Sequence, residues 1–224
     1  MASLALDTST PTGSVALAIA GDVIAESALA VRATHSETVL PEIAGLLEAS
    51  GLVPSDLEAV IVGAGPGSFT GVRIAASLAK GICFARGADL FAYSSLAAVA
   101  AGAGASGPIC ALFDARRSQV YAAGYRVGDA IDELFPPTAG PLDALLDRLT
   151  PVAEWSFAGD GAGPGAEAIE RAGGRILASE LWHPRASSLV WLARVTPETG
   201  LVSDPHKWEP RYVRLPAAQR GNAD

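Results

Sequence analysis

Histidine is scarce in this chain of 224 residues, with His35, His183 and His206 as the full complement. They stand far apart, and no H-x-x-x-H or H-E-x-x-H pair exists to seat a metal on one helix face. Cysteine is scarcer. Cys83 and Cys110 belong to no C-x-x-C pair, so they read as free thiols of a reducing compartment, and the cytoplasm is the expected location. Charge is thin, at 18% of residues, while 50% are hydrophobic, which excludes a disordered tail. Apolar runs are short and broken by glycine or charge. None approaches the roughly 20 residues of a membrane span, so no membrane partner is expected. The opening MASLALDTST lacks the basic segment and long apolar stretch of a secretory signal. Cations are outnumbered: 16 Lys and Arg against 24 Asp and Glu give a net charge of −8. That argues against broad binding to nucleic acid through its phosphates and leaves room for a local basic patch.

Glycine, by contrast, organises the chain. Within 59–87, the apolar run Ala59-Val60-Ile61-Val62 stops at Gly63-Ala64-Gly65-Pro66-Gly67-Ser68-Phe69-Thr70-Gly71, and a helix-like stretch of small residues follows. Strand, glycine turn and helix is the arrangement that aims backbone N–H groups at an anion. No Lys-Ser/Thr pair follows Gly71, so this is not a Walker A loop, and the third glycine of a dinucleotide turn is missing. Gly71, Ala75, Leu78, Ala79 and Ile82 recur at helical spacing and give one nearly flat face. Such a face suits close packing on the chain's own sheet or on a partner's helix. Gly87, after Arg86, reads as the helix stop.

The N-terminal part reads as an antiparallel meander: Leu4-Ala5-Leu6-Asp7, a hydroxyl-rich turn, Val15 to Ile19, a Gly21-Asp22 hairpin, then Val23-Ile24-Ala25. His35-Ser36-Glu37-Thr38 opens a helix, with Ser36 or Thr38 as its cap. Thr38 as cap puts Pro41 in the first turn, and Gly51 ends the helix. Leu90 to Tyr93 is a strand, and Ser94 or Ser95 caps a helix through Ala101. Gly102-Ala103-Gly104-Ala105-Ser106-Gly107-Pro108 is the one clear linker. Beyond it the pattern returns. Ile109 to Asp114 is again an apolar strand ending in Asp, Gln119 to Tyr125 again a strand, and Gly161-Ala162-Gly163-Pro164-Gly165 repeats the pentapeptide at Gly63 letter for letter. Duplication into two like lobes facing a cleft is the expectation, with each Asp-ended hairpin and glycine loop turned toward it. Asp7 and Asp114 are then candidates to meet across the cleft as magnesium-facing carboxylates, with an Asx-type turn as the plainer role for Asp7. A helix follows over 187–195. The tail 208–216 is basic and aromatic, a strap across the surface or a contact for a partner or RNA. No G-x-S-x-G elbow exists, and neither Ser68 nor Thr70 has a base nearby in sequence.

Leu6-Asp7-Thr8-Ser9-Thr10, His35-Ser36-Glu37, Gly65-Pro66-Gly67-Ser68-Phe69-Thr70-Gly71-Val72-Arg73, Asp114-Ala115-Arg116 and Pro210-Arg211-Tyr212-Val213-Arg214 follow in that order. Together they resemble the TsaB family of tRNA threonylcarbamoyladenosine biosynthesis proteins, formerly described as glycoprotease-like. GPGSFTGVR is the most specific stretch. The resemblance covers nearly the whole chain and is weakest over 134–205. It implies an α/β fold of the actin-like ATPase (sugar kinase/Hsp70) kind, two duplicated lobes each with a mixed sheet and flanking helices. With the linker as boundary, residues 1–104 form the N-terminal lobe with partner-binding helices. Residues 108–224 form the C-terminal lobe, its last residues candidates for a return to the first.

The implied role is a non-catalytic dimerisation and scaffold subunit of the complex that forms N6-threonylcarbamoyladenosine in tRNA next to the anticodon, activating the related subunit TsaD. The other implied partners are a TsaE-like ATPase and, in isolation, a second copy, with tRNA reached only through the complex. No cofactor is required, and any ATP or ADP belongs at the partner interface. TsaD-like chains carry a histidine pair for their metal. Here the matching helix offers His35 with Val39 one turn later, so neither metal ligands nor catalytic residues are expected. In the family the helices matching 36–50 and 70–86 pack on the equivalent pair in TsaD or a second copy. The implied contact surface is Val39, Ile43, Gly71, Val72, Ala75, Ala76, Ala79 and Ile82, with Ala75→Arg or Ala79→Arg expected to block pairing without unfolding the lobe. Residues expected to face a nucleotide or phosphate are Asp7, Thr8, Ser9, Thr10, Gly65, Gly67, Asp114 and Gly161. On Asp7, Asp114 and the glycine loops rests the alternative, a stand-alone small-molecule kinase or ATPase of the same fold.

Overall fold

The computed structural model describes residues 1–30, 35–105 and 107–213, with the side chains of 30 and 35–37 outside it. β1 (Ala2–Asp7), β2 (Thr12–Ile19) and β3 (Asp22–Ala30) form the antiparallel meander. α1 (His35–Ala49) follows, then β4 (Leu57–Gly63) parallel to β1, α2 (Phe69–Arg86), and β5 (Asp89–Tyr93) parallel to β4. α3 (Ser95–Gly102) leads to β6 (Pro108–Asp114), β7 (Gln119–Val127), β8 (Ile131–Pro141), α4 (Leu142–Arg148), β9 (Ser156–Ala158), α5 (Ala166–Arg171) and β10 (Arg175–Ile176). The sheets run β3-β2-β1-β4-β5 and β8-β7-β6-β9-β10, the same order built twice. α6 (Ala186–Val195), α7 (Pro197–Gly200) and a tail complete the described chain.

Strand alternation separates the layers. Leu4, Leu6, Val15, Leu17, Val60 and Val62 point to α1 and α2, whereas Ala5, Ala16, Ala18 and Ile61 point the other way, into a core shared with the second sheet. Ile109, Ala111, Phe113 and Ala123 enter that shared core from the opposite side, and Cys110, Leu112 and Phe157 face α4 and α5. Two helices fill the space between the sheets. α3, which follows the first sheet, lies on β6 and β7, while α6, which follows the second, lies on the first sheet, and the two pack on each other. Alanine dominates there because sheet, helix, helix and sheet must all fit.

α1 begins at His35, so Ser36 and Thr38 lie within the helix and neither caps it; its cap falls outside the described residues. Pro41 accordingly sits inside the helix, one turn later than a Thr38 cap would place it. Gly87 ends α2 at φ 67°, as expected. β8 carries Pro136 and Pro137, which an edge strand tolerates because its outer N–H positions need no partner.

Candidate functional site

Two regions collect the residues singled out by sequence. The first is the cleft of about 530 Å³ between the hairpin turns of the two sheets, lined by Ser9, Thr10, Gly67, Ser68, Thr70 and Asp114 among others. Asp7 is not in it. Its carboxylate is fully buried, accepts from the Ser9 N–H at 2.7 Å and the Ser95 hydroxyl at 2.6 Å, and lies beside the sealed Ser9 hydroxyl. Burial pushes its pKa up, against the pull of those hydrogen bonds. Ser95 in turn accepts from the Gly65 N–H at 3.1 Å, so one hydroxyl ties the end of β1 to the glycine loop. The expectation that Asp7 and Asp114 meet across the cleft therefore fails. The interior took Asp7, and only Asp114 is exposed, its carboxylate accepting from the Arg116 N–H at 2.7 Å.

The glycine loop is likewise committed inward. Ser68 N–H donates to the Ser9 carbonyl at 2.7 Å, and buried Thr8 donates its hydroxyl to the Gly71 carbonyl at 2.6 Å. A Cβ on Gly67 would overlap the Ser9 carbonyl, and one on Gly71 the Thr8 carbonyl, so these glycines admit the hairpin's backbone. Thr8 and Gly65 are buried away from the cleft. In the second loop Gly161 is buried against Phe113, its N–H donating to the Leu112 carbonyl at 3.2 Å. Identical letters give different loops: Gly65 and Gly67 have positive φ, while Gly161, Gly163 and Gly165 do not. Asp160, just before the second loop, accepts from the Asp114 N–H at 3.0 Å, and burial raises its pKa with Asp114 adding to the effect.

The second region is the α1/α2 pair. Val39, Ile43, Val72, Ala75, Ala76 and Ala79 are buried within the chain, Gly71 is buried under Thr8, and Ile82 is half-buried. Ala75 and Ala79 belong to the core with Leu4, Leu6, Val60 and Val62. The flat face thus packs on its own sheet, which corrects the expected contact surface. An arginine at Ala75 or Ala79 would have to force β1 and β4 from α2, so it would unfold the lobe. The outward rows are different residues. Leu40 is 53% exposed, Ala44, Gly45, Ser77, Gly81 and Ala85 are exposed, and Ile74 and Leu78 are half-buried.

The family model of the tRNA N6-adenosine threonylcarbamoyltransferase TsaD matches residues 22–220. A Bacillus subtilis (strain 168) tRNA threonylcarbamoyladenosine biosynthesis protein TsaB is 34% identical over 98% of this chain and 96% of its own length. The chain belongs to the TsaB family. A Pseudomonas aeruginosa crystal structure, of an uncharacterized protein with similarity to peptidase YeaZ, superposes on this TsaB-family chain with a TM-score of 0.81 at 31% identity, covering 95% of this chain and 99% of that one. The Acidaminococcus fermentans (R)-2-hydroxyglutaryl-CoA dehydratase component A shares only the fold, at 13% identity and a TM-score of 0.51 over 88% and 98% of the chains. The fold is of the actin-like ATPase class.

Of the outward α2 residues of this TsaB-family member, sequence reasoning named only Leu78, and placed it on the flat face with Gly71, Ala75 and Ala79. A usable signal was present: Gly45 and Gly81 interrupt helix interiors, where glycine costs about 1 kcal/mol relative to alanine. A Cβ on either would meet nothing within 4 Å in this chain. The tail beyond α7 lies along the first lobe. Val202 N–H donates to the Leu90 carbonyl at 2.9 Å, and Lys80 donates to the His206 and Trp208 carbonyls at 3.0 and 2.9 Å. That is the strap reading of the tail as far as Val213; Arg214, Leu215 and Pro216 lie outside the described residues.

Proposed function

We propose that this chain is the non-catalytic scaffold subunit of the assembly that forms N6-threonylcarbamoyladenosine in tRNA. It presents the outward rows of α1 and α2 to a TsaD-like catalytic subunit, and to a second copy when isolated. The observation that carries the reading is the pair of helix-interior glycines, Gly45 and Gly81, open to solvent with no steric need for glycine in their own chain. A partner backbone close to those positions supplies the need, and the exposed Leu40 with half-buried Ile74 and Leu78 supplies apolar area to cover. A TsaE-like ATPase and any nucleotide then act on the assembled pair. The kinase alternative requires Asp7 in the cleft, and the sealed Asp7–Ser95 contact counts against it.

Leu40→Glu with Ser77→Arg tests the surface, since both side chains are exposed. The double variant is expected to melt like the parent, to lose co-elution with the TsaD-like subunit in gel filtration, and to reduce its stimulation of threonylcarbamoyl transfer by about tenfold or more. Transfer by the chain alone, or full stimulation by the variant, overturns the reading.

A further inference from the structure

In a chain of net charge −8, α2 carries Arg73, Lys80 and Arg86 and no acid. The tail runs beside it and adds aromatic rings. The Tyr212 ring centroid is 5.2 Å from that of Phe69, the Arg73 guanidinium lies 4.9 Å over Phe69, and His206 meets Phe84 edge-on at 5.5 Å. Lys80 pins the tail through two carbonyls. Arg73 and Arg211 have no carboxylate within 4.0 Å among the described residues. Phe69 is 41% exposed and Phe84 77% exposed, so apolar rings and unpaired cations share one strip of surface. The strip is bordered by a groove of about 910 Å³ into which Arg211, Tyr212 and Trp208 face.

The row Phe69, Arg73, Lys80, Phe84 stands about a third of a turn around α2 from Ile74, Leu78, Gly81 and Ala85, given the 3.6-residue period. The two faces are centred on different sides of one helix and meet at Ser77.

We propose that the aromatic and basic strip binds RNA directly. Unpaired bases of an RNA loop stack on Phe69 and Tyr212, with the groove beside them, while Arg73 and Arg211 take the flanking phosphates. An acidic protein segment would meet the cations and offer no π-face to the exposed part of the rings; RNA brings a π-face with every phosphate. The inference deepens the scaffold reading and rests on it for the choice of an anticodon loop as the RNA.

The test is fluorescence anisotropy of a labelled anticodon stem-loop RNA with the full chain, alone and paired with the TsaD-like subunit, over a salt series. Arg73→Glu with Arg211→Glu is expected to weaken binding about tenfold or more and to flatten the plot of log affinity against log salt by about 0.7 for each phosphate no longer neutralised. Phe69→Ala with Tyr212→Ala is expected to weaken binding about tenfold with the salt slope unchanged. Both double variants should still co-elute with the TsaD-like subunit. No RNA binding by the parent in either state, or variants that bind like the parent, overturns the proposal. Competition by polyglutamate as effective as by RNA also overturns it, and makes an acidic protein segment the occupant. Failure of the parent to co-elute would instead fall on the scaffold reading.

Discussion

Asp7 shows how far a single carboxylate's role depends on its surroundings. Because burial lifts its pKa in the folded chain, folded protein holds that proton more tightly than unfolded protein. Stability from this group is then greatest on the acid side, below the unfolded carboxylate value, and is lost as pH rises through the folded value. The loss is about 1.4 kcal/mol for each tenfold tightening of the proton. Asp160, raised first by the same burial, slopes in the same direction. Relative to the parent, Asp7→Asn is therefore expected to gain melting temperature as pH rises above the ordinary carboxylate range, because the variant has no buried carboxyl to ionise. Thermal melts of parent and variant across a pH series check it, and parallel curves for the two would remove Asp7 as a contributor. The sequence placed Asp7 at a strand end correctly. It could not show that Ser95, 88 residues later, would reach the carboxylate and seal it inside.

At the level of elements, both helices of the outward pair were legible from their period, and the Gly87 stop from its position. Packing of the flat face of α2 on the chain's own sheet was also open to the pattern, and it was the resemblance that turned that face outward. Gly71, Ala75 and Ala79 make one small-residue row and Ser77, Gly81 and Ala85 another, and periodicity weighs them alike. The deciding fact is steric. A Cβ at Gly71 collides with the Thr8 carbonyl, whereas one at Gly81 or Gly45 meets open space. Gly45→Ala and Gly81→Ala should each stabilise the isolated chain by up to about 1 kcal/mol through helix propensity. The same changes should weaken pairing with the TsaD-like subunit. Calorimetry of the chain alone and titration with the partner separate the two effects, and pairing unchanged by both substitutions would show that no backbone approaches there. The duplicated pentapeptide was a sound guide to the repeated sheet order, yet a poor guide to loop shape. In the first copy Gly67 admits the Ser9 carbonyl of the turn, whereas in the second Gly161 lies against the Phe113 backbone at the end of β6.

Across the whole molecule, α3 and α6 change places: each packs on the sheet that the other half of the chain provides. No local pattern signals this, because a helix's period shows which of its faces is buried and not which sheet covers that face. Fragments 1–104 and 105–224 should therefore each be unfolded when made alone, and should recover native circular dichroism when mixed. A fragment that melts cooperatively on its own would contradict the exchange. Leu189→Ala or Leu192→Ala, fully buried where α6 enters the shared core, should cost about 2–5 kcal/mol. The exchange also sets a schedule for synthesis. The first sheet emerges from the ribosome with one side bare, and its cover is translated only after the second sheet has been made. A nascent chain stalled before Ala186 is thus a sticky intermediate, and chaperone capture should peak there and end once α6 has left the exit tunnel.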